Sequence, residues 1–455
     1  MRTDVVFYAN RAILEHIEKD RALEQAVNVA CMPGLVGPSL AMPDIHQGYG
    51  FPIGGVAAMD FTHGVVSPGG VGYDINCGVR LARTNLSESD IRSRLKDLTS
   101  QIFRDVPCGV GGHGRVAITE AQLKQILRQG AGCMIENGFG EPYYAERSEE
   151  VGCLDDADPG AVSARALERG RPQLGTLGSG NHFLEVQYVE RIEDPRAAQA
   201  LGIRERQVVV LIHSGSRGLG HQVCTGYLSQ MGEAMRRHNI VLPDRQLACV
   251  PIHSAEGQSY LKAMRAAANF AWANRQAILH FLRGSFRKVF GETPVGLVYD
   301  VCHNIAKRES HTWDGRKVDV LVHRKGATRA FPPGHREITP EYRSCGQPVL
   351  VPGSMGTASW ILRGAPGAML ETFGSVCHGA GRLLSRAAAR QGRTSRDIQD
   401  QLAAQGILVR SETRDGILEE APDAYKDVDA VIETVHHAGL ARKVARLRPM
   451  AVIKG

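Results

Sequence analysis

Gly69-Gly70-Val71-Gly72-Tyr73-Asp74-Ile75-Asn76-Cys77-Gly78 sets a carboxylate and a thiol three residues apart inside a glycine-rich turn. Backbone freed of side chains can bend sharply there and aim both groups at one cation. Three other segments bring imidazoles to a matching setting. Gly180-Asn181-His182, Leu211-Ile212-His213 and Val301-Cys302-His303 each place a histidine where an apolar or glycine-rich run gives way to a loop. A lone histidine at a strand end is more often a hydrogen-bonded structural residue than a ligand. Five such positions together, each flanked by glycine, asparagine or serine, are a pattern that coincidence does not produce. Asp74, Cys77, His182, His213 and His303 form a mixed oxygen, sulfur and nitrogen set, which suits a divalent transition metal better than calcium or magnesium. The set exceeds the needs of one tetrahedral ion and its thiolate can bridge, so two ions sharing Cys77, with open positions for catalysis, are expected.

The chain of 455 residues is 43% hydrophobic and 22% charged, the composition of a globular protein with an ample core. No basic stretch followed by an apolar run opens the sequence and no apolar run is long enough to span a bilayer, so a cytoplasmic protein without a membrane segment is expected. Ten cysteines without a Cys-x-x-Cys pair read as reduced thiols. The net charge of +6 permits a polyanionic partner without requiring one.

Ile13, Leu14, Ile17, Leu23 and Val27 fall at helical spacing and predict one amphipathic helix from Arg11 to Ala30, stopped by Met32-Pro33-Gly34. Capping boxes at Ser87/Asp90 and Thr119/Gln122 each open a helix. Gln207 to Ile212, Gly296 to Val301 and Val318 to Val322 are β-branched runs, each leading into a histidine. They predict one sheet edge presenting His213, His303 and His323. Ala255 to Phe290 reads as one very long helix or a helical hairpin, a helical insertion at 255–290. The segments Arg147 to Asp158 and Gln391 to Asp397 read as surface loops.

A sixth histidine stands in Cys377-His378-Gly379-Ala380-Gly381-Arg382, ahead of a predicted helix. Glycine-rich loops at helix N-termini attract phosphate, and a histidine aimed at phosphate serves as acid, base or nucleophile. The bland alternative is a tight turn with an incidental histidine. Pro352-Gly353-Ser354-Met355-Gly356-Thr357-Ala358-Ser359 is a second small-residue loop suited to an anion. There is no Gly-Lys-Ser/Thr phosphate loop and no Lys-x-Asp-Gly. Gly109-Val110-Gly111-Gly112-His113-Gly114 fits a dinucleotide spacing but opens no helix and reads as a loop. Arg382, Arg386 and Arg390 recur every four residues on the helix expected after His378, while Arg217 and Lys325 follow His213 and His323. For each alone a solvated face is the simpler reading. Their convergence favours a phosphodiester substrate.

Met42-Pro43-Asp44-Ile45-His46, Gly70 through Gly78, Gly178-Ser179-Gly180-Asn181-His182-Phe183-Leu184-Glu185, His213-Ser214-Gly215-Ser216-Arg217-Gly218, His303-Asn304-Ile305-Ala306, Val351 through Gly356, His378 through Arg382 and Lys454-Gly455 together resemble the RtcB family of RNA-splicing ligases. The resemblance runs from Met42 to the last residue. It implies an α+β fold: a single large RtcB-like domain over 1–455, with mixed central sheets layered by helices and the 255–290 insertion within it. It implies a GTP- and Mn²⁺-dependent ligase with two ions, joining RNA that ends in a 2′,3′-cyclic phosphate or 3′-phosphate to RNA with a 5′-hydroxyl. Such ends occur on tRNA halves and in RNA repair. Carried over residue by residue, His378 attacks GTP and Asp44 orients its ring. Cys77 bridges the ions, with Asp74 and His182 on one and His213 and His303 on the other. Asn181 and Asn304 touch the guanylate phosphate or ribose, Glu185, Ser359 and Lys454 address guanine, and Phe183 or Tyr425 stacks on it. Pro352, Gly353, Ser354 and Met355 join Gly379, Ala380 and Gly381 around the nucleotide. Arg217, Lys325 and Arg386 hold RNA phosphates, and an archease-like activator is a partner this family allows. Two rivals stand beside this reading: a dinuclear phosphoesterase acting on RNA ends, which needs neither His378 nor Lys454, and a non-catalytic RNA-binding protein with a structural metal.

Overall fold

The computed structural model of the protein describes residues 1–17 and 20–455. Two mixed sheets and their covering helices make an α+β fold. The larger sheet runs Pro348–Val351, Ser359–Gly364, Ala441–Lys454, Phe183–Ile192, Gln207–Ser214, Gly78–Ser87 and Val295–Cys302, and Leu408–Ser411 pairs in parallel with Ala441–Lys454. The second sheet runs Val5–Phe7, Ser39–His46, Ile53–Asp60, Arg316–Lys325 and Asn304–Trp313. His303 alone separates a strand of the first sheet from a strand of the second.

Ala255–Phe290 is one continuous helix, N-capped by Ser254, whose side chain accepts from the Gly257 N–H. It packs against helices Leu95–Asp105, Glu120–Glu136 and Arg217–Arg237. Met264, Phe270 and Trp272 enter the largest apolar cluster, and Ile278, Leu282 and Phe286 enter another beneath the main sheet. Burial on this scale explains why so long a helix needs no amphipathic pattern. Both predicted capping boxes form, at Ser87/Asp90 and Thr119/Gln122. No described helix is long and apolar enough to cross a membrane.

Four expectations are corrected, one of them the Gln391 to Asp397 loop, whose last three residues open the helix Ser395–Ala404 behind a Thr394/Asp397 capping box. The opening helical span consists of Arg11–Ile17 and Ala22–Val29, with Glu18 and Lys19 between them outside the described residues. His323 does not share a sheet edge with His213: its strand pairs with Ile53–Asp60 in the second sheet, and its Nε2 accepts from the Ser67 N–H at 3.2 Å. Similar β-branched runs carry no information on which sheet they join, because strand partners are chosen by distant residues. The Arg147–Asp158 segment is not simply a surface loop. Ser148 and Glu149 are buried, and Glu149 accepts from the Cys302 N–H at 2.9 Å and pairs with Lys307.

Candidate active site

Antiparallel register gathers four of the five candidate ligands at one end of four neighbouring strands. Phe183 lies opposite His213, Val79 opposite His213, and Gly78 opposite both Ser214 and Cys302. Cys77, His182, His213 and His303 therefore stand at adjacent strand ends, and the turn before Cys77 adds Asp74. Two groups result that share Cys77: Cys77, His213 and His303, and Asp74, Cys77 and His182, with ligand atoms within 4.8 Å of one another in each. His213 Nε2 is 3.2 Å from Cys77 Sγ and 3.3 Å from His303 Nε2. His182 Nε2 is 3.4 Å from the same sulfur and 2.7 Å from Asp74 Oδ2, and its Nδ1 donates to the Leu177 carbonyl at 3.0 Å. A neutral imidazole carries one N–H, so ring nitrogens crowded on one sulfur do not satisfy each other by donation alone. Cations accepting their lone pairs and a thiolate remove that conflict, and the donor set fits divalent metal.

The electrostatics agree. Burial pulls the His213 and His303 imidazoles well below their ordinary range, and neighbouring imidazoles add to the effect, which keeps both rings in the neutral form a metal requires. Burial, reinforced by the Asp74 anion, pushes the Cys77 thiol well up. A bound cation reverses that balance and favours thiolate. Burial also opposes ionisation of Asp74, but His182 and Arg217 outweigh it and hold the carboxyl well below its usual range.

His378 reaches this cluster from another direction. It follows the short strand Ser375–Cys377, which pairs with Ala327–Arg329, and the Ala327 N–H donates to the His303 carbonyl at 3.1 Å. The His378 and His303 ring centres are 4.8 Å apart. Asp44, buried in the strand Ser39–His46, holds His378 Nδ1 at 2.6 Å through Oδ2, which also accepts from the backbone N–H of His378 at 2.9 Å and of Gly379 at 3.2 Å. Burial opposes the Asp44 charge, yet His378 and Lys426 hold its carboxyl below the ordinary value. With Nδ1 occupied, Nε2 is the nitrogen left for chemistry. The expected helix directly after His378 is absent. The loop's N–H groups bind a carboxylate within the protein, so the helix-terminus argument for a phosphate at this point does not hold. Gly381, at φ +76°, allows the close crossing, since a Cβ there would lie 2.1 Å from the Asp44 carbonyl oxygen.

A cavity opens onto His378 and His213. Asn181, Phe183, Tyr425 and Lys454 line it, together with Pro352, Gly353, Ser354 and Met355 from one loop and Gly379, Ala380 and Gly381 from the other. Lys454 Nζ donates to the Gly180 carbonyl at 3.1 Å. Glu185 and Ser359 stand behind this lining, joined by Gln187, whose Nε2 donates to Glu185 Oε2 at 2.7 Å and to Ser359 Oγ at 2.9 Å. Burial pushes the Glu185 carboxyl up to about 8. Asn304 bridges the backbone instead, donating to the Asp74 carbonyl at 3.0 Å and accepting from the Gly326 N–H at 2.8 Å.

The cationic residues divide. Arg386 lines the main cavity, whereas Arg217 lines a separate one that also touches Asp74 and His182. Lys325 is buried, and its ammonium donates to the Tyr49 and Phe51 carbonyls at 2.7 and 3.0 Å, so it is not presented to a ligand from solvent. Arg382, Arg386 and Arg390 do not share a helix face. The helix covers only Arg386–Ala389, because the Leu383 and Leu384 N–H groups are drawn to the Ala424 carbonyl and Ser385 caps the next turn. Arg390 pairs outside the cavity with Glu419 and Asp415. The sequence reading missed three lining residues, the apolar Ile53 and the polar Glu420 and His46. Glu420 is buried against Arg382, Tyr425 and Lys454, and His46 stacks 6.5 Å from His378. Nothing local distinguishes Glu420 from its neighbour Glu419, while His46, two residues from Asp44 in a quoted motif, was within reach.

The family model described as tRNA-splicing ligase RtcB matches residues 25–455. The chain is also similar over its full length to proteins named tRNA-splicing ligase RtcB. It is 56% identical to that of Thermococcus kodakarensis, 54% to that of Archaeoglobus fulgidus and 54% to that of Pyrobaculum aerophilum, with 100% of this chain and 95% of each relative covered.

Proposed function

The chain belongs to the RtcB family of tRNA-splicing ligases, and from that premise and its site geometry we propose that it joins RNA ends through a guanylate carried on His378. The substrates are RNA ending in a 2′,3′-cyclic phosphate or 3′-phosphate and RNA beginning with a 5′-hydroxyl, tRNA halves among them, and the reaction runs in the cytoplasm. His378 Nε2 attacks the α-phosphorus of GTP, a nitrogen–phosphorus bond forms, and pyrophosphate leaves. The cyclic phosphate is opened by water to a 3′-phosphate, which takes the GMP from His378. The 5′-hydroxyl oxygen then attacks that phosphate and GMP departs. Two Mn²⁺ ions, held by Asp74, Cys77 and His182 and by Cys77, His213 and His303, would neutralise charge on the entering and leaving oxygens.

The chain's own residues supply the rest. Asp44 fixes the ring so that Nε2 faces the cavity, and it stabilises the positive charge that the imidazole gains on bonding phosphorus. Asn181 serves the guanylate phosphate or ribose, while Asn304, whose amide is taken up by the Asp74 carbonyl and the Gly326 N–H, braces the wall between the ligand turn and that site. Lys454 reaches the guanine edge, Glu185 and Ser359 address it from the wall they share with Gln187, and Phe183 or Tyr425 stacks on the base. Arg217 and Arg386 meet RNA phosphates from the two cavities. The whole chain acts as one catalytic unit.

The observation that carries this reading is the His378 ring, anchored by Asp44 at 2.6 Å and set 4.8 Å from His303, where the cavity meets the ligand cluster. A dinuclear phosphoesterase or a passive RNA-binding protein does not need a histidine held ready to carry a guanylate there. Incubation with α-labelled GTP and Mn²⁺ tests it. Acid-labile label should stay on the protein through a denaturing gel and vanish in His378→Ala; no label on the unaltered protein would sink the proposal.

A further inference from the structure

Three consecutive polar residues, Asn274-Arg275-Gln276, lie in the middle of the long helix with no solvent exposure. Burying them is unfavourable unless every donor and acceptor finds a partner. Their partners lie beside the candidate metal ligands. All five Arg275 N–H groups are used: Nε and Nη2 grip Asp300 side-on at 2.9 and 2.8 Å, and Nη1 donates to the Asn76 carbonyl at 2.8 Å and the Ser214 carbonyl at 3.0 Å. The second Nη2 proton goes to Asn76 Oδ1 at 3.0 Å. Asn76 precedes Cys77, Ser214 follows His213, and Asp300 lies in the strand that delivers His303. Asn274 extends the same contact, accepting from Thr176 N–H at 3.1 Å and donating to Ser214 Oγ at 3.1 Å, while Ser214 Oγ donates to the Leu177 carbonyl that also anchors His182.

Two details show that the approach is built in. Asn76 sits at φ +53°, a conformation an asparagine tolerates, and Arg275 binds both its carbonyl and its side chain, which fixes the turn between Asp74 and Cys77. At Gly78 a Cβ would lie 2.5 Å from the Val301 carbonyl oxygen and 3.1 Å from Arg275 Cζ, so only glycine leaves room for the guanidinium beside Cys77. A buried ion pair is weak ground for inferring stability, since apolar packing of similar volume commonly does as well. A planar fork that ties three separate segments in fixed geometry does what apolar packing does not.

We propose that Arg275 is a positioning residue for the metal pair: through Asn76, Ser214 and Asp300 it sets the spacing of Cys77, His213 and His303. The inference rests on the metal reading proposed above. Cobalt(II) titration of the full chain tests it, because the part of the thiolate-to-cobalt charge-transfer band that is lost in Cys77→Ala reports ligation by that one of the ten cysteines, independently of RNA joining. Arg275→Lys keeps a cation opposite Asp300 but loses the fork. Well below its melting midpoint it should bind cobalt roughly 10–100-fold more weakly, with a diminished thiolate band. A folded Arg275→Lys with the affinity and band of the unaltered protein overturns the proposal. If that variant does not fold, Asn76→Gly decides, since it keeps the positive φ and removes the side chain that Arg275 grips. A weakened band supports the clamp and an unchanged one rejects it. Absence of any thiolate band in the unaltered protein would reject the metal reading itself, a result distinct from failure of the clamp.

Discussion

His378 and Asp44 are coupled through a single oxygen that also ties down two backbone N–H groups. Asp44→Asn keeps the shape and removes the charge, so the imidazole loses both its fixed tautomer and its counter-charge. Guanylation measured with labelled GTP should slow by on the order of 10³–10⁴-fold, the scale on which a carboxylate-oriented histidine depends on its carboxylate. Glu185 makes a different prediction. Its carboxyl rises from an ordinary 4.5 to about 8 because it is buried. Between those values the folded protein holds a proton that the unfolded chain has released, so this residue's contribution to stability is greatest below pH 4.5 and is lost as pH climbs toward 8. Melting midpoints of Glu185→Gln and the unaltered protein should therefore diverge as pH rises from 5 to 8, with the Gln variant the more stable at the upper end. The five ligand candidates were legible as residues because each stands near glycine, asparagine or serine, in a glycine-rich turn or at the edge of an apolar or glycine-rich run. Glu420 was not, since its role depends on Arg382, Tyr425 and Lys454 arriving from elsewhere.

Elements were legible where the signal is local. The boxes at Ser87 and Thr119, the strands Gln207–Ser214 and Val295–Cys302 and the helix Ala255–Phe290 all stand where propensity and periodicity put them. The turn after His378 failed as a predicted helix because Asp44 and the Ala424 carbonyl, both remote in sequence, claim its N–H groups. That turn and the Thr119 cap form a contrasting pair. Gly381→Ala forces a Cβ toward the Asp44 carbonyl at positive φ, and denaturant unfolding should show a loss of about 1–3 kcal/mol with guanylation lost as well. Thr119→Ala removes a cap from Glu120–Glu136 and should cost about 1 kcal/mol while leaving guanylation intact.

At the scale of the whole molecule, the ligands gather at the edge of one sheet, while Asp44 comes from a strand of the other and His378 from the short strand pair packed on it. Ions that bind this arrangement and not the unfolded chain stabilise the fold by mass action. Raising Mn²⁺ should move the melting midpoint upward in a concentration-dependent way in the unaltered protein, and the shift should be largely absent in Cys77→Ala. An unchanged midpoint across the titration would count against the metal pair. Sequence reading reached the convergence of distant segments but assigned His323 to the wrong sheet, because alternation and branching describe a strand and not its neighbours. The junction at His303 has a further consequence. No spacer residue other than His303 itself stands between the strands Val295–Cys302 and Asn304–Trp313. Adding or deleting one amino acid there would swap the inward and outward faces of everything that follows in the strand. This crossing therefore has no slack, and the length variation that ordinary surface connections absorb is closed to it.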